Sequence, residues 1–131
     1  MLTRQVSVFM ENQPGRLLRL LTVLAEANVN LWAHNIVDAT DFGIIHLIVD
    51  DPGKAERVVR MAGITCSTVD VLQVTVPNEP GGLMQGVLLP LAEAGVNIEY
   101  SYAFSGAKQE QAYVVLKVDD VARGWEVLGQ S

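Results

Sequence analysis

The sequence of 131 residues is poor in the features that define several large classes of protein. It has one cysteine, Cys66, so no disulfide can form within the chain, and a single thiol is typical of a reducing compartment. No apolar run reaches the ~20 residues that a membrane-spanning helix needs. The first five residues lack the apolar stretch of a signal peptide. We therefore expect a cytoplasmic protein without a membrane partner.

Basic residues are scarce as well. Nine lysines and arginines stand against 15 aspartates and glutamates, which gives a formal net charge of −6. Proteins that bind nucleic acids neutralise phosphates with a stripe of basic side chains, and here the basic residues are scattered. We expect no nucleic-acid partner.

Recognisable catalytic and metal-binding patterns are missing. The pair Gly81 and Gly82 is not followed by the remainder of a phosphate-binding loop. No nucleophile, base and orienting residue form a set, and no Cys, Asp or Glu at ligand spacing accompanies His34 and His46. We interpret the two histidines as residues of a subunit interface. The sequence thus predicts no enzymatic activity, no cofactor and no metal.

What the sequence does have is apolar material and an internal repeat. Half of its residues are hydrophobic, which is ample for a packed core. Residues 12–31 and 78–98 share Asn-x-Pro-Gly-x-Leu and Leu-Ala-Glu-Ala-x-Val-Asn, with one extra residue before the second Leu-Ala-Glu-Ala. Residues 45–51 correspond in the same way to 114–120. Three matches in one order indicate a duplication, into copies at 1–70 and 71–131.

Apolar periodicity and turn residues predict strand, helix, strand, strand, helix in each copy. In the first copy, Asn28 is suited to a left-handed residue at the end of the first helix. Asp50 or Asp51 caps the second helix. The predicted strands of this copy are 5–10, 29–37 and 44–49, the helices are 17–28 and 52–61, and a turn lies at 38–41.

The second copy follows the same order. Its predicted strands are 71–76, 96–104 and 111–118, and its helices are 81–94 and 121–128. Pro90 lies inside the first helix and removes one backbone donor, so we expect a kink there that accommodates the inserted residue.

The two copies differ in their fourth strand. Residues 65–76 form one continuous β-rich stretch, which we expect to supply the last strand of the first copy and the first strand of the second. No stretch after the last helix supplies the second copy with a fourth strand of its own. That position either stays bare or is filled by another chain, and the sequence leaves both open.

Alternation along the strands sorts their residues into two faces. We place an apolar set against the helices: Val6, Val8, Leu31, Ala33, Ile45, Leu47, Val49, Leu72, Val74, Ile98, Tyr100, Val114, Leu116 and Val118. The other face of the first copy carries Phe9, Trp32, Ile36, Ile44 and Ile48 beside His34 and His46. The other face of the second copy is polar, with Gln73, Thr75, Glu99, Ser101 and Lys117. Because so much apolar surface is rarely left in water, we expect a homodimer through the first copy's open face.

The candidate ligand site lies where each first strand meets its helix. Pro favours entry into a helix, Gly lets another molecule approach the backbone, and the free amides of a first helical turn suit a carboxylate. Asn can serve either end of a zwitterion, although Asn at such a junction is also a common cap or turn residue. Asn30 and Asn97 begin the next strands, which we place at the same end. The predicted ligand-binding residues are Asn12, Gln13, Pro14, Gly15, Arg16, Leu17, Asn30, Asn78, Glu79, Pro80, Gly81, Gly82, Leu83 and Asn97.

These motifs resemble the ACT domain family over nearly the whole chain, twice. Each copy is also similar to the regulatory domain of bacterial phosphoglycerate dehydrogenase. The resemblance implies an α+β fold of two ferredoxin-like βαββαβ modules, with antiparallel sheets, helices on one face and ligands held between paired modules. It gives Asn12, Asn30, Asn78 and Asn97 the role of contacting an amino acid. Met10 and Val76 stand where the dehydrogenase motif has histidine, which disfavours serine and leaves a more apolar amino acid open.

We therefore expect a non-catalytic regulatory protein. It would bind a free amino acid between ACT modules and signal to a metabolic enzyme, since binding that changes module orientation can be sensed by a partner. The alternative is an assembly module, or a regulatory subunit of an amino-acid biosynthetic enzyme, that has no ligand of its own.

Overall fold

A computed structural model describes residues 2–37, 42–105 and 110–129, so the turn predicted at 38–41 lies outside the described residues. The element order confirms strand, helix, strand, strand, helix in each copy. The elements are β1 (Leu2–Glu11), α1 (Arg16–Glu26), β2 (Leu31–Val37), β3 (Phe42–Val49), α2 (Pro52–Met61), β4 (Thr65–Pro77), a π-turn (Met84–Leu88), α3 (Leu89–Glu93), β5 (Ile98–Ser105), β6 (Gln111–Val118) and α4 (Val121–Gly129). No helix among the described residues is long and apolar enough to cross a membrane.

The chain forms two compact units. Module 1 is Arg4–Val69, and module 2 is Asp70–Ser131 together with Met1–Thr3. Strands in module 1 follow the order β2-β3-β1-β4, and strands in module 2 follow β1-β4-β6-β5. The pairs β1–β3, β2–β3, β4–β6 and β5–β6 are antiparallel. Both modules therefore have the ferredoxin-like arrangement of antiparallel strand pairs that the sequence predicts.

The strand β4 runs without a break through the boundary between the modules, as predicted. Its first residues complete module 1, where Arg4 of β1 donates to the Thr68 hydroxyl over 3.3 Å. In module 2 the position beside β4 is taken by the start of β1, where the Thr3 hydroxyl donates to the Gln73 side chain over 3.3 Å. Module 2 thus lacks a last strand of its own, as the sequence predicts, and the start of β1 occupies part of the position whose occupant the sequence left open.

The core of module 1 lies between its sheet and the inner faces of α1 and α2. Leu20 and Leu24 stand one turn apart on α1, which places both on the face that the sheet buries. Asn28 follows α1 with φ 60, the left-handed conformation predicted for it. The buried cluster comprises Val6, Val8, Met10, Leu20, Leu24, Val29, Ile45, Leu47, Val49, Ala55, Val59 and Cys66. Module 2 has a separate cluster of Leu72, Val76, Val87, Leu91, Val96, Val114, Leu116, Val118 and Leu128.

The two aspartates before α2 have different structural roles. Asp51 caps the helix, since its carboxylate accepts from the Lys54 amide over 3.1 Å. Asp50 instead accepts from the backbone amide of Asn30 over 3.0 Å and fixes the start of β2. In module 2 the same tasks fall to Asp120, which accepts from the Arg123 amide, and to Asp119, which accepts from the Asn97 amide.

The helix predicted over 81–94 is interrupted by the π-turn. Leu89 donates its amide to the Met84 carbonyl, five residues earlier, so this turn holds one residue more than an α-helical turn. The π-turn thus absorbs the residue that is inserted relative to the first copy. Pro90 follows in the first turn of α3, where its missing donor costs little. The inserted residue is thus accommodated just before Pro90, and the kink expected at Pro90 stays a prediction.

A β-bulge in β2 reverses the alternation on which the predicted faces depend. The register shifts between Leu31 and Ala33, after which Ala33 opposes Ile48 while His34 and Ile36 oppose Leu47 and Ile45. Directly opposed residues share a face, so His34 and Ile36 lie on the helix side and Ala33 lies on the other. The predicted placement of these three residues is wrong, because one extra residue flips every side chain that follows.

The same irregularity recurs in β5, between Ile98 and Tyr100. Beyond it Tyr100, Tyr102 and Phe104 share a face with Lys117, Val115 and Tyr113, away from the helices, and Ser101 turns toward them. The predicted helix-side Tyr100 and open-face Ser101 are therefore exchanged. The open face of module 2 is aromatic and not merely polar: the rings of Phe104 and Tyr113 stack with centroids 5.1 Å apart.

The open face of module 1 is partly buried within a single chain. Ile48 is completely buried and His46 is 6% exposed, so neither offers surface to a second subunit. His46 belongs to a buried polar cluster in which its Nδ1 lies 3.1 Å from Gln5 Nε2 and 3.0 Å from Ser7 Oγ. The interface role expected for His46 and Ile48 is wrong. Phe9 and Trp32 are exposed, and the homodimer stays a prediction.

Candidate ligand site at the start of helix α1

The junction between β1 and α1 leaves the start of the helix uncapped. Gly15 precedes the helix in the left-handed conformation (φ 84), and no side chain caps the first turn. The Arg16 amide donates to the Gln13 carbonyl over 3.3 Å. The two amides that follow Arg16 lie too close to the start of the helix to have an acceptor within it. Asn12 is exposed and is not a helix cap. Donors and a positive helix end therefore remain available at this point.

A small pocket of about 100 Å³, the Asn12 pocket, opens beside this junction. Four predicted ligand residues line it: Asn12, Gln13, Arg16 and Leu17. Its remaining wall consists of Glu11 and of the mostly apolar Met10, Ile36, Val37, Gly43 and Ile45. The Asn12 pocket combines a polar rim with an apolar wall, the usual composition of a small-molecule site.

A second, larger pocket of about 290 Å³, the Phe42 pocket, adjoins the same junction. It shares Met10, Glu11 and Arg16 with the Asn12 pocket. Its further lining comes from β1, α1, the start of β3 and the α2–β4 connection: Phe9, Arg19, Phe42, Gly63, Ile64 and Thr65. Residues common to both pockets make them two parts of one candidate site.

An ion pair belongs to both pockets. Arg16 Nη2 lies 3.3 Å from Glu11 Oε2 and 3.3 Å from Gln13 Oε1. The Arg16 and Glu11 side chains are 40% and 49% exposed, and such pairs contribute only ~0–1 kcal/mol. A zwitterion can therefore replace this contact at little cost, with its carboxylate on Arg16 and its ammonium group on Glu11. Arg19 is already engaged, since its Nη2 donates to the Ala62 carbonyl over 2.6 Å.

The structure separates Asn12 from Asn30. Glu11 opposes Phe42 at the beginning of β3, whereas Asn30 is bonded to Asp50 just after the end of β3. The eight residues of β3 span roughly 25 Å, so the two asparagines lie at opposite ends of module 1. The expectation that they share one end is wrong. Pro14 and Gly15 shape the junction without lining either pocket.

The corresponding junction of module 2 has no room for a side chain at Gly82. Gly82 is buried, and a Cβ atom added to it would lie 2.2 Å from the Pro77 carbonyl oxygen. No arginine therefore fits at the position of Arg16 without moving the backbone. The Asn78 amide donates to the Glu110 carbonyl over 2.9 Å, at the start of β6. Asn97 lies at the far end of that strand, beside Asp119.

Module 2 has a groove of about 470 Å³ elsewhere, along residues 73–77 of β4 and against the π-turn. None of the residues predicted to bind ligand in module 2, including Asn78, Glu79, Pro80, Gly81, Gly82, Leu83 and Asn97, lines this groove. The duplicated motif thus borders a pocket in module 1, whereas the same motif residues do not line this groove in module 2.

Sequence reasoning missed Phe9, Met10, Glu11, Arg19 and Phe42 as candidate site residues. The available signals were pairing and spacing. Two antiparallel strands place the start of one beside the end of the other, which brings Phe42 opposite Glu11. Arg19 follows Arg16 by three residues, a neighbouring position on one helix face.

A chain of two ferredoxin-like modules, joined through one continuous strand, has the form of a tandem regulatory domain. The chain belongs to the ACT domain pair family, whose model matches residues 1–130. The tandem ACT organisation predicted from the sequence is thereby confirmed.

Solved structures agree with this assignment. The chain is similar to a protein from Bacteroides thetaiotaomicron, with 38% identity over 99% of this chain and 88% of that one, at a TM-score of 0.93. It shares its fold with the ligand-free regulatory subunit of aspartate kinase from Thermus thermophilus (14% identity, 97% and 91% coverage, TM-score 0.67). The aspartokinase alpha and beta subunits also share the fold (16% identity, 98% and 95% coverage, TM-score 0.58). No curated protein matches the sequence.

Proposed function

We propose that this chain is a non-catalytic regulatory protein that binds a free amino acid at the β1–α1 junction of module 1 and acts on a metabolic enzyme in a separate chain. The observation that carries the proposal is the exposed Arg16–Glu11 pair, which borders both pockets beside an uncapped helix start. The regulatory role draws support from the fold shared with regulatory subunits of aspartate kinase.

The chemistry of the junction matches an α-amino acid group. The Arg16 guanidinium can take the carboxylate through two parallel hydrogen bonds, helped by the free amides and the positive end of α1. Glu11 and the carbonyl of the Asn12 side chain are acceptors for an ammonium group. A ligand that lacks either charge leaves one member of the Arg16–Glu11 pair unmatched, which selects for the zwitterion.

Transmission to an enzyme requires that the ligand favour one conformation of the regulator over another. The exposed ion pair offers such a difference, because Arg16 is bonded to Glu11 in the free protein and to the ligand in the bound one. By linkage, an enzyme that prefers the bound form must tighten ligand binding by the same factor.

Assembly without a ligand is the second candidate role, and it suits module 2. There Gly82 stands at the position of Arg16 and has no room for a side chain, so no arginine receives a carboxylate. Under the proposal, module 1 is the sensing half and module 2 supports its fold or its partner contacts.

A thermal-shift screen of the twenty amino acids tests the proposal. A ligand present at 100 times its Kd stabilises the folded chain by about 2.7 kcal/mol, a rise of several degrees in Tm. Arg16→Gln should abolish the shift while changing the ligand-free Tm little, because the side chain is half-exposed. Arg123→Gln is the matched control, since it removes a similar exposed ion pair in module 2 (Arg123–Glu126, 3.6 Å). If no amino acid raises the Tm, the proposal fails.

A further inference from the structure

We infer that the amino acid bound at module 1 carries a large apolar side chain, of phenyl or leucyl size, and that this side chain occupies the Phe42 pocket. The inference rests on the proposed function and names its ligand class.

The volumes of the two pockets favour a ligand with a large side chain. Small-molecule sites usually measure ~300–1,000 Å³, and the Asn12 pocket of about 100 Å³ is too small to hold more than the head group of an amino acid. The adjoining Phe42 pocket supplies about 290 Å³ more. Because both pockets border Arg16 and Glu11, a head group held at this pair can direct its side chain into the larger one.

The apolar residues that line the Phe42 pocket favour an apolar side chain. Phe9 and Phe42 are 45% and 61% exposed, which is a large fraction for two phenyl rings that line one pocket. Met10 and Ile64 complete the apolar lining. An apolar ligand side chain would cover these rings, and both ring edges and the Met10 sulfur make favourable contacts with an aromatic group.

The lining of the Phe42 pocket disfavours acidic and serine-sized side chains. Arg16 and Glu11 are matched by the head group, and Arg19 is held by the Ala62 carbonyl at 2.6 Å. A side-chain carboxylate would therefore compete for an engaged arginine among phenyl rings. A serine-sized side chain would leave most of the pocket unfilled and the rings of Phe9 and Phe42 uncovered.

Isothermal titration of the full chain with L-phenylalanine, L-leucine, L-serine and L-aspartate tests the inference. We expect phenylalanine or leucine to bind at least ~10-fold more tightly than serine and aspartate, since even one methylene group in an apolar pocket is worth about 10-fold or more. Equal or tighter binding of serine or aspartate overturns the inference. It leaves the proposed function standing, whereas failure of every amino acid to bind removes both.

Substitution of Phe42 locates the side chain. Phe42→Ala should weaken binding of the preferred apolar amino acid at least ~10-fold, and Phe42→Leu should weaken it less because an apolar wall remains. Leu18→Ala is the control: Leu18 is 71% exposed on α1 and lines neither pocket. Circular dichroism verifies folding, and if Phe42→Ala is unfolded, Phe42→Leu against Leu18→Ala decides. Unchanged affinity in folded Phe42 variants overturns the inference.

Discussion

Arg16 in module 1 and Gly82 in module 2 occupy the same position of a duplicated motif, yet they have opposite effects on their junctions. Arg16 projects to the rim of two pockets and pairs with Glu11. Gly82 packs so closely on the Pro77 carbonyl that no side chain fits. The scaffold around them is otherwise repeated, down to the aspartates before the second helix of each module. The two modules thus share a fold, but only module 1 carries a charged side chain at this position.

The cores provide the most severe test of how alike the modules are. Leu24 and Leu91 are corresponding residues, each nearly or fully buried in its own cluster. Leu24→Ala and Leu91→Ala should each lower the free energy of unfolding by about 2–5 kcal/mol, because each leaves a cavity. Urea denaturation measures both. A loss below about 1 kcal/mol for either variant would show that its module contributes little to stability.

Alanine at the two junction glycines should separate a steric effect from a conformational one. Gly82→Ala should cost about 3 kcal/mol, since its Cβ would lie 2.2 Å from a backbone oxygen. Gly15→Ala should cost about 1–2 kcal/mol, because its Cβ meets nothing within 4 Å but φ is 84. The same denaturation experiment ranks them. Equal costs would contradict the close packing of Gly82 on the Pro77 carbonyl.

Removal of the helix caps should affect the modules alike. Asp51→Ala and Asp120→Ala each delete a carboxylate that accepts from a first-turn amide, at a cost of about 1 kcal/mol. Asp51→Asn and Asp120→Asn are the controls, since Asn retains a capping oxygen and should lose less. A cost confined to one module would break the symmetry that the paired contacts indicate.

Acid sensitivity should give the smallest effect and should belong to module 1. Burial lowers the pKa of His46, whose place in module 2 is taken by Val115. Below pH 6.5, its ordinary pKa, the unfolded chain binds a proton that the folded chain does not, so the free energy of unfolding falls as the pH drops through this value. His46→Asn should flatten this dependence between pH 7 and 5. An unchanged slope would assign the acid sensitivity to other groups.

The sequence was sufficient for the fold, because it repeats and because helix and strand periodicities alternate clearly. Leu20 and Leu24 mark a buried helix face, and residues 65–76 read correctly as one strand. The bulges in β2 and β5 were not visible, since a bulge adds one residue without a sequence signature. They reversed Ala33, His34, Ile36, Tyr100 and Ser101.

The candidate site was only half accessible to sequence reasoning. Local motifs found Asn12, Gln13 and Arg16, which lie within one junction. Phe42 comes from a distant strand, and its approach to Glu11 depends on strand pairing that no local pattern states. The strand topology also places Asn30 and Asn12 at opposite ends of module 1, although both belong to the duplicated motif.

The unbroken strand β4 has a consequence for how such a protein can evolve and be engineered. Its residues serve one module before Asp70 and the other from Asp70 onward, and Leu2–Thr3 are likewise counted with module 2 while the rest of β1 serves module 1. A cut at Asp70 leaves each fragment its own part of β4 but separates Leu2–Thr3 from module 2, where Thr3 is bonded to Gln73. We therefore expect module 2 to be less stable when it is expressed or transplanted without the start of β1.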